Sequence, residues 1–189
     1  MREEDYYNEI AVYIVKEIKA NLDKPELFNV VPLIGEVSSG LRTLIANGYS
    51  AGALLQEFSR SVHRLHLDIS ILVENIEKGI FELIIFEIKK VEGLGLGELS
   101  QLIGYCLVSK RSFGILINID KGLSKDFSVI LDSDPDLTTI VRVLDNSKVK
   151  HELGVMIWNS DTKQMECVNS GSVPSISSLT EKLESILNS

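Results

Sequence analysis

The chain has 189 residues, a formal net charge of −8, 44% hydrophobic and 24% charged residues. This composition is that of a globular protein and excludes disordered and fibrous classes, and the length suits one domain, residues 1–189, with a real core. Two cysteines exclude a disulfide framework or a four-cysteine metal centre built by this chain alone, and the excess acid argues against a general nucleic-acid coat.

The N-terminus, MREEDYYNEI, is charged and lacks an apolar signal core, and no run approaches the roughly 20 apolar residues of a membrane span. A cytoplasmic, intracellular protein with reduced thiols and no membrane partner is expected. From Glu3 to Leu22, Tyr6, Ile10, Tyr13, Ile14 and Ile18 recur at helical spacing. Residues 26–60 predict one or two short helices broken by Pro32, Gly40 and Gly48, with Ser50 as N-cap of the stretch 51–60.

The period then changes. Val62–Glu74 alternates, with Leu65, Leu67, Ile69 and Ile71 on one side and His66, Asp68 and Ser70 on the other, as in a half-buried strand. Turn chemistry at 75–79 leads into Phe81–Lys89, apolar on both faces like a central strand. Glycine-rich 92–97 reads as a flexible connection to a helix over about 98–109. Its spacing does not fit a dinucleotide loop. Ser112–Ile119 is another apolar strand. Phe127–Leu131 predicts a strand, and Asp134-Pro135 a capped helix running to about Asn146. Leu153–Trp158 and Gln164–Val168 form a hairpin, and Ser175–Leu187 a terminal amphipathic helix. The order of elements is that of an α/β domain, a central mixed β-sheet flanked by helices.

The chemistry lies in His66-Leu-Asp68, Phe86-Glu87-Ile88-Lys89 and Gln101-Leu-Ile-Gly-Tyr105. Alternation puts Glu87 and Lys89 on one face of their strand. A symmetric turn through 75–80 sets position 74 against 81, and the same register sets Asp68 against Glu87, with side-chain roots about 5 Å apart. Grouped carboxylates suit Mg²⁺ or Mn²⁺, which prefer hard oxygen ligands. The backbone carbonyl of Ile88 is a further candidate ligand. Lys89 suits positioning or activating water, or stabilising developing charge.

These residues resemble the PD-(D/E)XK nuclease superfamily, whose restriction-endonuclease-like core is a helix, a mixed sheet with an acidic hairpin, and a helix crossing over to the next strand. The resemblance covers about residues 1–120 and implies a Mg²⁺-dependent nuclease acting on DNA. Asp68 and Glu87 would be the metal ligands and Lys89 the catalytic lysine. The superfamily often adds a first-helix Glu, here Glu9, with Glu17 in reserve and Glu3 and Glu4 competing. The RecB-like branch adds Gln-X-X-X-Tyr, matched by Gln101 and Tyr105, which share a helix face and would line the site. Archaeal Holliday junction resolvases and small nucleases of archaeal viruses share this core. Junction cleavage would call for a symmetric dimer, for which the C-terminal hairpin and helix offer a surface. Duplex, single-stranded and branched DNA all remain open as substrates, as does a catalytically inactive DNA- or protein-binding module of the same fold. Leu67 stands where the family often has Pro, no iron–sulfur cysteine cluster is present, and residues 121–189 have no counterpart.

Other signals read as structural. His63 and His151 lack metal spacing, and His66, on the Asp68 face and within reach of a substrate, reads as a satisfied histidine at a sheet edge. Asp132, Asp134 and Asp136 lack the glutamate of a calcium loop, and Cys106 and Cys167 are inert thiols. With a net charge of −8, DNA contact must come from local basic residues such as Arg60, Arg64, Lys89, Lys90, Lys110 and Arg111.

Overall fold

The computed structural model describes residues 1–62, 65–144, 147–168 and 171–189. After a 3-10 turn, Glu3–Tyr6, the elements are α1 (Tyr7–Asn21), β1 (Phe28–Glu36), α2 (Val37–Ala46), α3 (Gly52–Ser61), β2 (His66–Asn75), β3 (Ile80–Lys89), α4 (Leu96–Ser109), β4 (Phe113–Ile119), α5 (Lys125–Ser133), β5 (Thr139–Leu144), β6 (Ser147–Asn159), β7 (Gln164–Cys167) and α6 (Ile176–Leu187). One seven-stranded sheet runs in the order β1-β2-β3-β4-β6-β5, with β7 also on β6. β1, β2 and β3 are antiparallel neighbours, while β3, β4 and β6 are parallel.

The two faces bury separate cores. Ile10, Ile14 and Ile18 of α1 and Leu179 and Leu183 of α6 pack with Ile69, Ile84, Phe86 and Trp158 on one face. Leu41, Leu55, Leu102 and Phe127, from α2 to α5, pack with Leu72, Leu83 and Ile85 on the other. β4 is buried along its whole length, which is why its sequence shows no alternation. Tyr13 stacks edge-on against buried Trp158, with ring centroids 5.3 Å apart. Among the described residues no helix is long and apolar enough to cross a membrane.

Several elements differ from the sequence expectations. Residues 28–36 form strand β1 where helix is expected. Pro32 is tolerated because β1 is an edge strand, where a missing N–H breaks no ladder. Ala51, not Ser50, is the N-cap of α3. Phe127–Leu131 lies in helix α5, started by Ser124, whose Oγ accepts the Phe127 N–H. After Asp134 comes only a 3-10 turn, Pro135–Thr138, and then strand β5. The β-branched run Thr139-Ile-Val there favours a pleated edge. The expected end of that helix at Asn146 lies outside the described residues. The segment 92–97 is pinned rather than flexible. Leu94 bridges to Leu123, and a β-carbon on Gly93 would sit 2.9 Å from the Ser124 nitrogen. The C-terminal third joins the same sheet through β4 and β6.

Candidate active site

β2 and β3 pair in the expected register, from Asn75 with Ile80 to Ile69 with Phe86. The ladder ends there, one step short of Asp68 and Glu87. On the other side of β2, β1 pairs Ile34 with Ile69 but Gly35 with Leu67. Asp68 is therefore the extra residue of a β-bulge, paired in neither ladder, and Gly35 on the facing strand takes the left-handed conformation (φ 81°) there. The bulge also moves Leu67 out of line. It packs in the α2–α5 core, whereas Ile69, Ile71 and Val73 face α1 and α6.

Freed from pairing, the Asp68 carboxylate is held by other groups. Its Oδ2 accepts the Ile88 N–H at 2.9 Å, and its Oδ1 accepts the Tyr7 hydroxyl at 2.7 Å. On β3, Glu87 is 2% exposed and its Oε1 accepts the Lys89 ammonium at 2.5 Å. Burial pushes the Glu87 carboxyl up to about 6; the Lys89 hydrogen bond opposes this and the Asp68 charge adds to it. Burial alone would lower Lys89, but the Glu87 hydrogen bond and the charges of Glu87, Asp68 and Glu3 carry it above the usual lysine value.

The first turn of the chain closes the site. Tyr7 also lies 3.0 Å from Glu3 Oε1, and Glu3 Oε2 accepts the Lys90 N–H at 3.0 Å. Burial, then the hydrogen bond to Asp68 and the charges of Asp68 and Glu3, raise the Tyr7 hydroxyl above its ordinary pKa. A hydroxyl has one proton to donate, yet Tyr7 stands between two carboxylates. The charges of three carboxylates, of Glu87, Asp68 and Glu3, thus act on the single ammonium of Lys89, which only Glu87 contacts among the described residues. Lys90 Nζ turns away to Met1 O and the Tyr6 hydroxyl.

Glu9, the first-helix candidate, bonds Lys163 at 2.9 Å and makes no hydrogen bond to the acidic pair, and Glu17 accepts through its backbone carbonyl from Asn21. Gln101 donates to the Tyr105 hydroxyl at 3.0 Å on the exposed side of α4, and neither is hydrogen-bonded to Asp68, Glu87 or Lys89 among the described residues. Ile88 sends its side chain into the α1–α6 core and its N–H to Asp68. His66 is exposed at the strand end, while His151 is buried with Nδ1 2.7 Å from the Arg111 carbonyl. The Cys106 thiol is buried and pushed up to about 12. His63 and Arg64 lie outside the described residues.

Some supporting residues escaped sequence reasoning. Tyr7 follows Glu3 by four residues, a spacing that puts both on one helix face. Asn118 is the lone polar side chain of the buried run Phe113–Ile119. Its Oδ1 takes the Val91 N–H, and its Nδ2 donates to the Val91 and Gly122 carbonyls, tying down the chain just after Lys89. Ser70, fully buried, has an Oγ with no hydrogen-bond partner among the described residues.

A divalent cation fits the donor chemistry of this site. The oxygens are hard carboxylate donors, and their negative charge exceeds that of Lys89 by two. Among the described residues no three His, Cys, Asp or Glu side chains stand in a ready metal-holding group, so binding would draw Asp68 or Glu3 off Tyr7. Comparison with protein-family models, curated proteins and solved structures finds no match.

Proposed function

We propose that the chain is a metal-dependent deoxyribonuclease of the PD-(D/E)XK superfamily, hydrolysing phosphodiester bonds in DNA. The observation that carries this reading is that Asp68, bound to the Ile88 N–H, and the Glu87–Lys89 pair stand together at the split end of β2 and β3, where the Asp68 charge acts on Glu87. The order of elements supports it: a helix, an antiparallel β1–β2–β3 meander, crossover helix α4 and a parallel strand β4.

Asp68 and Glu87 would hold Mg²⁺ or Mn²⁺, with Glu3 better placed than Glu9 to complete the shell. The ion, when bound, would polarise the scissile phosphodiester and lower the pKa of the attacking water. Lys89 pairs with Glu87 in the free protein, and its ammonium would be the group to orient the attacking water or to stabilise charge developing on the phosphate. Asn118 fixes the backbone that carries Lys89 and Lys90. Gln101 and Tyr105 present a paired amide and phenol on the outer side of α4, available to the DNA strand. The RecB-like and junction-resolvase branches remain alternatives within this reading.

One observation favours a second reading, a nuclease-fold module that binds DNA or protein without turnover: both Asp68 oxygens are already taken by the protein's own donors. The test is incubation with plasmid, linear, single-stranded and four-way-junction DNA in Mg²⁺, Mn²⁺ or EDTA. Metal-dependent products on any of them support the nuclease. DNA binding that persists in EDTA, with no products in metal, supports the module.

A further inference from the structure

β1 and β2 are antiparallel neighbours whose facing ends are Glu36 and His66. A two-residue turn is enough to join such a pair. The chain instead makes an excursion through residues 37–65, carrying α2 and α3, which pack on each other. The excursion leaves and rejoins the sheet at the end where Asp68 stands.

Its charge departs from that of the whole chain. Residues 37–65 hold three arginines (Arg42, Arg60 and Arg64), no lysine and one acid, Glu57, in a protein of net charge −8. The inward residues Val37, Leu41, Leu44, Leu55 and Phe58 are buried. The outer groove between the helices is an open cavity of about 500 Å³ lined by Arg42, Ile45, Gln56, Ser59 and Arg60. Arg42 approaches Glu36 only at 3.8 Å, with its side chain 62% exposed, a pair that holds it weakly. Arg60 makes no ion pair among the described residues.

Two guanidinium forks, an amide and a hydroxyl around one open groove supply donors for phosphodiester oxygens, and no acid is among these lining residues. We propose that the outer groove of α2 and α3 is a phosphate-binding surface, where Arg42 and Arg60 take the backbone of a nucleic-acid strand leading to Asp68 and Glu87. The strand's destination rests on the nuclease reading; the binding itself does not. An active end rich in carboxylates needs such a surface, because Lys89 and Lys90 are both engaged with the protein.

The experiment is fluorescence anisotropy of a short labelled DNA duplex, titrated in EDTA with the full chain at several NaCl concentrations. The double variant Arg42→Ala/Arg60→Ala is expected to bind about tenfold more weakly or worse and to flatten the slope of log affinity against log salt by about two. Lysine at both positions keeps the slope and loses part of the affinity, because charge remains while the fork is lost. Lys148→Ala, on β6 at the opposite end of the sheet, leaves both unchanged. The proposal is overturned if the alanine pair keeps wild-type affinity and slope, if Lys148→Ala costs as much, or if the wild type does not bind. Should the alanine pair fail to fold, the lysine pair decides, and wild-type affinity in it overturns the fork. Arginine-dependent binding by a wild type that never cleaves leaves this surface standing and removes the nuclease. Metal-dependent cleavage with binding indifferent to both arginines does the reverse.

Discussion

Glu87 is the residue on which charge, burial and chemistry meet. Its carboxyl is raised from an ordinary 4.5 to about 6, chiefly by burial. The folded state therefore holds this proton more tightly than the unfolded chain. The resulting stabilisation is complete below about 4.5 and is lost as pH rises through 6, amounting to about 2 kcal/mol. Buried Glu82 is shifted in the same direction, again mainly by desolvation, so the contribution of Glu87 is read from a difference. Wild type is expected to lose stability between pH 4.5 and 7 relative to Glu87→Gln, by about 2 kcal/mol in urea titrations. Parallel curves for the two proteins would contradict the assignment. Cleavage at limiting metal should have the opposite dependence, rising as Glu87 loses the proton that competes with the ion, so the rate profile and the stability profile should cross. Tyr7 gives a second check. Tyr7→Phe removes the hydroxyl that holds Asp68 and Glu3 and is expected to change the Mn²⁺ dependence of cleavage more than the melting temperature.

Among the elements, α3 is held by a residue far from it in sequence. Glu74 of β2 is fully buried, and its carboxylate accepts the Ala51 N–H at 2.6 Å, the Ser50 hydroxyl at 2.9 Å and the Asn29 amide at 2.7 Å. It binds the backbone of the N-cap Ala51, whose own side chain makes no cap hydrogen bond. Glu74→Ala leaves these three donors without their acceptor and should cost about 3 kcal/mol or more by urea denaturation. A cost below about 1 kcal/mol would show that water replaces the carboxylate. This remote cap explains why Ser50 looked like the N-cap: a serine just before a helical stretch is the usual local signal, while its actual acceptor lies 24 residues away. The β2–β3 register was legible because a hairpin register follows from turn symmetry and alternation, both local. The bulge at Asp68 was not, since it depends on the pairing of β2 with β1, and β1 was hidden by Pro32. Helix α5 and strand β5 were exchanged for similar reasons, because short apolar runs carry no period long enough to separate the two states.

At the scale of the whole molecule, the α/β class and the flanking of one mixed sheet by helices were legible, because β3 and β4 are apolar on both faces and the amphipathic α1 and α6 are not. The order of the seven strands was not, since β6 and β5 join the sheet through pairings that no local pattern announces. In the candidate site, Asp68, Glu87 and Lys89 were legible from spacing. Glu3, Tyr7 and Asn118 meet them only through tertiary contacts. Charge is distributed on the same scale: carboxylates gather at one end of β2, β3 and the first turn, and arginines on the excursion that leaves the sheet beside them. The net charge of −8 thus hides a locally basic excursion, and DNA affinity that rests on it should fall with salt. The central claim is that Asp68 and Glu87 hold a metal that cuts DNA. It is tested most directly by single-turnover cleavage in Mn²⁺ by wild type and Glu87→Ala, with both proteins shown to be folded. Metal-dependent cleavage by wild type, at least about a hundredfold faster than by the variant, is the predicted result. Equal rates, or no cleavage of any DNA by wild type, would contradict it.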